Sequence, residues 1–491
     1  MSLQADSSAL TASQEILTLS MYAMVCAVPC RQNLSDTDRL VSDGTLPTAR
    51  MAPERNASTG RLVADPERFP SGIAALADYA HARGLSLGVY SSAGNTTCQG
   101  RPASLGREAL DAATFAEWQV DFVKLDNCGI DDKSPLYPPR QRYAAMGEAL
   151  RQSGRKIAYS VCEWGVADPA TWASSSEVGA LMWRTTPDIR DAWESVISRA
   201  DLNEPWYAYS SPGAYNDPDM LEVGNGGLTP AEERAHVALW ALMKAPLILG
   251  ADLAALSDAQ LALLTNSVLL EIHSDALGAQ GRRSNASGYG PDATYHEPMV
   301  GTLGWTSVPP IDGAFHWGKY SPADAAQLCL NAGAECEGFS FGIPSDNSTT
   351  SLRMVYFFRA ADATPGAAPG DIEPFWKRWR SVIKRRPLTE VWHAPLEGGG
   401  VAALALNRDA NATRAVHVDF HDVGALSPGG RFALTDVLGN AGGGVPSTAE
   451  GGGFTVEVAP HDAVVIRIEA AQWIRQPAIL FGPRRAAGAA A

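Results

Sequence analysis

The chain has 491 residues, with 39 basic and 54 acidic side chains and a formal net charge of −15. Its length suggests roughly two to four domains, and its hydrophobic share of 45% excludes global disorder. The acidic balance argues against a nucleic-acid partner, because such proteins concentrate Lys and Arg, and no apolar run reaches the ~18 residues that would indicate a membrane span.

The first 61 residues form an atypical N-terminal segment. Residues 62–281 alternate short apolar runs with helical patterns, which is typical of a parallel sheet wrapped by helices, and the number of repeats favours a barrel. Ser71 is predicted to cap a helix that stops before Gly84, and Thr229 opens a capping box with Pro230 at the first helical position. The predicted strands are Leu85–Tyr90, Asp121–Asp126, Lys156–Val161, Leu181–Arg184, Met220–Val223 and Leu247–Leu249.

The pattern changes after Gly281. Residues 282–373 form an insert that is rich in Gly, Pro and aromatics and carries Cys329 and Cys336, which favours a surface elaboration with a local disulfide. A basic run at residues 375–386 is interpreted as an amphipathic helix. Residues 374–470 form a small antiparallel β domain, because several runs from Val391 onwards alternate with period two. Residues 471–491 are a low-complexity tail.

Several acids follow the predicted barrel strands, where barrel enzymes carry their reactive groups. Asp126 ends one strand, and Lys124, two residues earlier, projects to the same side. Asp188 lies just past Arg184 at the end of another strand, and Asp219 lies at a third. Two carboxylates at strand ends suit glycoside cleavage, in which one attacks the anomeric carbon and the other protonates the leaving oxygen. Structural ion pairs are the alternative interpretation of these acids.

Seven blocks of residues between 69 and 281 closely resemble glycoside hydrolase family 27, the melibiase or α-galactosidase family, especially its plant and algal members. The blocks follow one another in the family's order over some two hundred residues. They are Leu87-Gly-Val-Tyr-Ser-Ser-Ala-Gly, Thr97-Cys-Gln-Gly-Arg-Pro, Lys124-Leu-Asp-Asn-Cys, Val161-Cys-Glu-Trp-Gly, Trp183-Arg-Thr-Thr-Pro-Asp-Ile, Asn216-Asp-Pro-Asp-Met-Leu-Glu-Val-Gly-Asn-Gly-Gly and Lys244-Ala-Pro-Leu-Ile-Leu-Gly.

The resemblance implies an α/β fold, a (β/α)8-type TIM barrel followed by a small antiparallel β domain. It also implies a retaining enzyme that releases terminal α-linked D-galactose from oligosaccharides or polysaccharides, with Asp126 as nucleophile and Asp188 as general acid/base. Glu163 matches the position that meets the sugar 2-hydroxyl, which favours galactose over N-acetylgalactosamine. The remaining implied pocket residues are Lys124, Tyr90, Arg184, Asp219 and Cys98, and Cys98 matches the partner of Cys128 in a disulfide.

Two blocks typical of the family's first barrel strands, Gly-Trp-Asn-Ser-Trp and a paired Asp-Asp, are absent from residues 1–50. The paired acids hold galactose hydroxyls in the family, through charge-assisted hydrogen bonds worth about 1.5–3 kcal/mol each. The N-terminal barrel strands are therefore degenerate or missing, and weak or absent activity is expected. A biological loss and an error in the assembly of the gene sequence are both open explanations.

Three functions stay open: an α-galactosidase, a related family activity such as α-N-acetylgalactosaminidase or β-L-arabinopyranosidase, and a non-catalytic sugar-binding protein. No cofactor and no metal ion is expected, since no cofactor fingerprint occurs and His417 and His421 lie too far apart along a strand to share one ion. A secreted, vacuolar or cell-wall location and glycosylation are expected. The Asn-x-Ser/Thr acceptors are Asn33, Asn56, Asn95, Asn285, Asn347 and Asn411.

Overall fold

The computed structural model describes residues 51–130, 139–287, 388–425 and 430–470, and the backbone of four strands between residues 317 and 383. Its first unit contains a five-stranded parallel sheet whose strands follow one another in chain order. Sequential order without a reversal is the arrangement of a (β/α) barrel and differs from the doubly wound sheet, so the expected fold class is confirmed. The strands are β1 (Gly88–Ser92), β2 (Phe122–Asp126), β3 (Ala158–Val161), β4 (Met182–Arg184) and β5 (Tyr215–Asp217).

The edge of this sheet lies at β1, which among the described strands pairs with β2 alone. The sequence predicts such an edge, because the family's first two strand blocks are absent from residues 1–50. Those residues lie outside the described part of the chain. The strand interiors are buried and apolar, as in parallel sheets covered by helices, with Val89, Val123 and Val161 each at most 2% exposed.

Two strand predictions are wrong. Residues 220–223 and 247–249 form an isolated parallel bridge between Leu221 and Leu249, not strands. The fifth strand lies earlier, at Tyr215–Asp217, and Asp219 at φ +89° turns the chain out of the extended conformation directly after it. The strand was missed because three residues with two polar side chains carry no apolar signal.

Helices separate the strands and cover them. They are α1 (Gly72–His81), α2 (Glu108–Glu117), α3 (Pro139–Gln152), α4 (Trp193–Asn203), α5 (Pro230–Leu242), α6 (Asp258–Leu264) and α7 (Ser267–His273). The capping box at Thr229 is confirmed, because its hydroxyl accepts from the Glu232 N–H while the Glu232 carboxylate accepts from the Thr229 N–H. Ser71 precedes α1 but makes no side-chain cap, since its backbone is already helical at ψ −6°. Within the described ranges, no helix combines the length and the apolar composition that a bilayer crossing needs.

Between residues 317 and 383, four strands described by their backbone form an antiparallel sheet in the order β10-β8-β9-β7, so this sheet extends beyond the predicted end of the insert at residue 373. Its strands are β7 (Trp317–Tyr320), β8 (Gly338–Gly342), β9 (Arg353–Phe358) and β10 (Trp379–Ile383). The helix expected at residues 375–386 is therefore wrong over residues 379–383, which extend along β8. Cys329 and Cys336 lie outside the described residues, and the domain boundaries themselves stay a prediction.

The C-terminal unit is a β-sandwich, as its period-two runs predict. A six-stranded sheet in the order β15-β14-β17-β12-β11-β6 packs on the pair β13-β16 through one shared apolar core. These strands are β6 (Arg282–Ser287), β11 (Thr389–Pro395), β12 (Val401–Asn407), β13 (Arg414–Asp419), β14 (Arg431–Asp436), β15 (Thr448–Glu450), β16 (Gly453–Val458) and β17 (Ala463–Ala470).

Strand β12 joins the sandwich to the barrel because both of its faces are buried. Ala402, Leu404 and Leu406 belong to a core cluster that includes Trp240 of α5, whereas the alternate residues face the core of the sandwich. Successive side chains of a strand point to opposite faces. The sandwich is therefore packed against the barrel as an integral part of the fold.

Candidate active site

The carboxylate of Asp126 ends β2 and is 7% exposed. The Tyr90 hydroxyl donates to its Oδ2 at 2.6 Å, and the Asn127 backbone N–H donates to its Oδ1 at 2.8 Å. Burial, followed by the charge of Asp126, raises the pKa of Tyr90 above its usual range, so the phenol stays protonated and remains a donor. The two hydrogen bonds hold the carboxylate in one orientation.

A disulfide joins the loop after β1 to the loop after β2, between Cys98 and Cys128 with Cα atoms 5.0 Å apart. Its Cys98 sulfur lies 3.1 Å from the Tyr90 hydroxyl and 3.5 Å from Asp126 Oδ2. The close approach of these loops requires glycine at residue 129, which has φ +70° and whose Cβ would collide with the backbone of residue 96. The disulfide implied by the resemblance is thus present beside Asp126.

Lys124 lies two residues before Asp126 and is in register with Tyr90 on the neighbouring strand. Burial lowers the pKa of its ammonium group, whereas the carboxylates Asp219 and Asp126 raise it, and the pKa stays above its ordinary value. Lys124 is therefore a cation held among the acids of the site, as predicted from its spacing to Asp126.

Arg184 ends β4 and connects the acids on the opposite side of the site. Its Nη2 lies 2.9 Å from Asp188 Oδ1 and 3.0 Å from Asp219 Oδ2, and its Nη1 lies 3.6 Å from the sulfur of Cys162. The guanidinium is 2% exposed, so both ion pairs form with a buried charge. Its Nε has no hydrogen-bond partner among the described residues.

The side chain of Asp188 is exposed, in contrast to Asp126. Desolvation by the surrounding protein raises the pKa of its carboxyl group, but the charge and the hydrogen bond of Arg184, helped by Lys124 and Arg199, outweigh it. The pKa of Asp188 consequently lies below its ordinary value. An exposed carboxyl group beside a buried guanidinium can reach a ligand and exchange protons with it.

Asp219 is 3% exposed and turns the chain at φ +89°. Its Oδ2 accepts from the Ile189 backbone N–H at 2.8 Å as well as from Arg184, so it also fixes the loop that carries Asp188. Asp217, which the site prediction omitted, accepts from the Asp219 N–H at 2.8 Å. Burial raises the pKa of Asp217 although Arg184 opposes it. Asp217 could have been predicted from the sequence Asn216-Asp217-Pro218-Asp219, which carries two acids with one proline between them.

Glu163 is fully buried, and its Oε2 accepts from the Ala167 N–H at 2.8 Å. Burial raises the pKa of this carboxyl group to about 7. Its Oε1 has no hydrogen-bond partner among the described residues. In this conformation the carboxyl group is not accessible to a sugar, so its predicted contact with the 2-hydroxyl would need the side chain to turn and stays a prediction.

Cys162, which sequence reasoning did not single out as a site residue, follows β3, the strand that lies between the two strands leading to the candidate carboxylates. Burial, followed by Asp126, raises the pKa of its thiol well above the usual value, so the thiol is neutral. Asp126, Asp188 and Lys124 all lie within electrostatic range of this sulfur. The ends of β2, β3 and β4 thus bring both candidate acids around one centre.

An open depression of about 560 Å³ lies beside the disulfide. Cys98, Cys128 and Trp164 contribute to its wall, together with residues of the two linked loops. Trp164 has φ +62°, an uncommon conformation for a bulky side chain. Trp164 was not predicted as a site residue. It directly follows Cys162 and Glu163 in the sequence, and this position could have indicated that it lies near the site. Asp126 is not part of the wall of the depression, but its carboxylate lies 3.5 Å from the sulfur of Cys98, which is.

Two groups of potential metal ligands occur among the described residues. Cys98 and Cys128 approach Asp126, but their sulfurs are joined in the disulfide and cannot act as thiolate ligands. The other group, Asp419, His421 and Asp422, is mostly exposed on the sandwich.

The comparisons agree with this geometry. The family model described as Alpha galactosidase A matches residues 46–275, and the one described as Alpha galactosidase C-terminal beta sandwich domain matches residues 388–468. Alpha-galactosidase 2 of Arabidopsis thaliana is 50% identical over 232 residues, which are 47% of this chain and 57% of the relative. "Probable alpha-galactosidase B" of Aspergillus fumigatus is 43% identical over 292 residues, 53% of this chain and 68% of the relative.

Solved structures share the fold. An alpha-galactosidase of Saccharomyces cerevisiae, determined with raffinose, superposes with a TM-score of 0.58 at 22% identity, covering 86% of this chain and 88% of that one. The chain spans little more than half the length of the Arabidopsis relative. Both the barrel and the sandwich are matched by family models, and the Aspergillus relative is covered over more than two thirds of its length. The chain therefore belongs to the alpha-galactosidase family that its motifs resemble.

Proposed function

We propose that this chain is a retaining glycoside hydrolase that releases terminal α-linked D-galactose. The observation that carries the proposal is the pair Asp126 and Asp188, which lie at and just after the carboxyl ends of β2 and β4, the two strands that flank β3. Lys124 and Cys162 lie in electrostatic range of both. One carboxylate is buried and held by two donors, whereas the other is exposed. This difference suits two roles, attack and proton exchange.

In the proposed reaction, the substrate binds to the form of the chain in which Asp188 has taken up a proton from solvent. The Asp126 carboxylate attacks the anomeric carbon while Asp188 gives this proton to the departing glycosidic oxygen. A galactosyl ester of Asp126 forms and the aglycone leaves. Asp188 then takes a proton from water, whose oxygen attacks the same carbon and releases galactose and the Asp126 carboxylate. A retaining pair of this kind has its carboxyl groups roughly 5–5.5 Å apart.

The proposed substrates are α-galactosides of the raffinose type and galactosylated polysaccharides. The raffinose bound by the Saccharomyces enzyme supports this class, as do the plant and fungal alpha-galactosidases that the chain matches. Once its side chain turned toward the pocket, Glu163 would favour galactose, because a carboxylate there accepts from a hydroxyl and leaves little room for an acetamido group. The absence of the paired acids from residues 1–50 supports turnover below that of an ordinary member.

A non-catalytic sugar-binding protein is the second candidate, favoured by the same absent acid pair. The deciding experiment measures hydrolysis of 4-nitrophenyl α-D-galactoside by the full chain, with the α-N-acetylgalactosaminide and the β-L-arabinopyranoside in parallel. We expect slow cleavage of the galactoside and a loss of about 10³-fold or more in Asp126→Asn, which lacks the nucleophile. Asp436→Asn is the matched control, since Asp436 also ends a strand but lies in the sandwich.

Hydrolysis that persists in Asp126→Asn would contradict the assigned nucleophile. No hydrolysis by the unmodified chain, combined with retention on immobilised galactose, would favour the sugar-binding protein. Preferred cleavage of either other glycoside would change the sugar assigned to the pocket.

We further propose that the chain passes through the secretory route to a secreted, vacuolar or cell-wall location. The disulfide beside the site suits an oxidising compartment, and the acceptor residues Asn56, Asn95 and Asn411 are exposed. Treatment of the protein from a eukaryotic host with an N-glycosidase should lower its mass. An unchanged mass would contradict glycosylation at these sites.

A further inference from the structure

Helix α4 carries a buried cation that the proposed reaction does not use. Arg199 is 3% exposed, and a buried guanidinium is costly unless it is hydrogen-bonded. Its Nη2 donates to the backbone carbonyl oxygen of Asp188 at 2.7 Å, and its Nε donates to the same oxygen at 3.3 Å. Through Arg199, helix α4 is thus hydrogen-bonded to the backbone of Asp188, the proposed acid/base.

The peptide group that follows Asp188 is held at both ends by charged side chains. Its carbonyl oxygen accepts from Arg199, and its N–H, which belongs to Ile189, donates to Asp219 at 2.8 Å. A peptide plane fixed on both sides cannot rotate without breaking one of the two contacts. The direction in which the Asp188 side chain leaves the backbone is therefore set by these contacts.

The same helix holds the loop at a second point. The Thr185 hydroxyl donates to the side-chain oxygen of Asn203 at 2.6 Å, one turn further along α4. Asp188 itself is exposed. Among the described residues, its carboxyl group accepts one hydrogen bond, from Arg184, whereas that of Asp126 accepts two. The position of the Asp188 carboxyl group therefore depends on the backbone beneath it and on the contact to Arg184.

We propose that Arg199 is a positioning residue for Asp188, which holds the backbone so that the carboxyl group reaches the glycosidic oxygen. The inference rests on the proposed function and deepens it. Proton transfer requires hydrogen-bond reach to the leaving oxygen, and a displacement of about 1 Å can cost on the order of 100-fold in rate. Arg199 also adds to the positive charges that act on Asp188, which include Arg184 and Lys124; the neighbouring Cys162 thiol is neutral.

The test compares two substrates that differ in their need for an acid. A 2,4-dinitrophenyl α-galactoside releases 2,4-dinitrophenolate, a stable anion that can depart without protonation. The leaving oxygen of raffinose must instead be protonated as it departs. In Arg199→Met we expect kcat/KM to fall by about 10- to 100-fold for raffinose and by less than about threefold for the aryl galactoside. Arg199→Lys, which keeps the charge and one donor, should recover part of the loss.

Arg155→Met is the matched control. Arg155 also donates to a backbone carbonyl oxygen, that of Val120 at 2.8 Å, but at the opposite end of the strands. We expect any fall in kcat/KM of this variant to be equal for the two substrates. In the Asp188→Asn background, Arg199→Met should cause no further selective loss, because residues that act as a unit are not additive.

If Arg199→Met lowered kcat/KM equally for the two substrates, the positioning role would be overturned and the proposed function would stand. A further selective loss in the Asp188→Asn background would also overturn it, since Arg199 would then act elsewhere. An unmodified chain that cleaves neither substrate would refute the proposed function and the inference together.

Discussion

Replacing Tyr90 by phenylalanine removes one hydroxyl that donates to the proposed nucleophile at 2.6 Å. The ring remains, and Tyr90 is 4% exposed, so the packing of β1 changes little. Asp126 keeps the donor from the Asn127 backbone but loses the one that fixes its Oδ2. The variant therefore tests how much the orientation of this carboxylate contributes to the reaction.

A hydrogen bond to a charged group contributes roughly 1.5–3 kcal/mol, and each 1.36 kcal/mol corresponds to a tenfold change in rate. Because this contact is already present in the free enzyme, its removal lowers kcat/KM only by displacing the carboxylate in the transition state. A displacement of about 1 Å costs on the order of 100-fold, so Tyr90→Phe should lower kcat/KM by about 10- to 100-fold. The fall should appear in kcat, because the hydroxyl contacts the nucleophile. If Tyr90 instead held a galactose hydroxyl, as the resemblance implies, KM would rise and kcat would stay unchanged.

The assay is steady-state hydrolysis of 4-nitrophenyl α-D-galactoside, with the melting temperature of each variant measured beside it. Tyr159→Phe is the control, since it removes another buried hydroxyl, one that donates to the Tyr143 carbonyl oxygen at 3.1 Å. It should cost stability without a selective loss of kcat. A Tyr90→Phe enzyme within about threefold of the unmodified kcat/KM would refute the orienting role of the hydroxyl.

Three further predictions concern stability, each measured as the midpoint of urea unfolding. Burial raises the pKa of Glu163 to about 7 from 4.5, so the folded state binds more protons than the unfolded state between these values and stability falls as the pH rises through them. Glu163→Gln should therefore be more stable than the unmodified chain at pH 8, by about 3 kcal/mol at most, and nearly equal at pH 4; an equal difference at both would contradict the raised pKa. The Cys98–Cys128 disulfide closes a sequence separation of 30, so replacing both cysteines by serine should cost about 3.5 kcal/mol, and an unchanged midpoint would exclude the bond in solution. Arg408 contacts the fully buried Glu390 at 2.7 Å, and Arg408→Met should cost about 3–5 kcal/mol because it removes a partner of a buried charge; a cost below 1 kcal/mol would show that the remaining contacts of Glu390 suffice.

Family membership followed from motifs alone, since long blocks in fixed order rarely arise by chance. The strand ends carrying Asp126 and Arg184 were also predictable, because apolar runs that stop at a charged residue mark where a buried strand meets the rim of the barrel. The capping box at Thr229 is another local pattern that reads directly from the sequence. Such signals depend on residues that are neighbours in the chain.

The tertiary structure decided how distant residues contact one another. The burial of Glu163 and the hydrogen bond from Arg199 to the Asp188 backbone arise from packing between loops and helices. Such packing produces no periodic pattern in the amino-acid sequence. The strand at Tyr215–Asp217 was missed for the same reason, since three residues with two polar side chains become a strand through pairing with β4. The amino-acid sequence determines which chemical groups are available. Contacts between helices, strands and loops determine which of these groups are exposed, which are charged and which lie close together in one site.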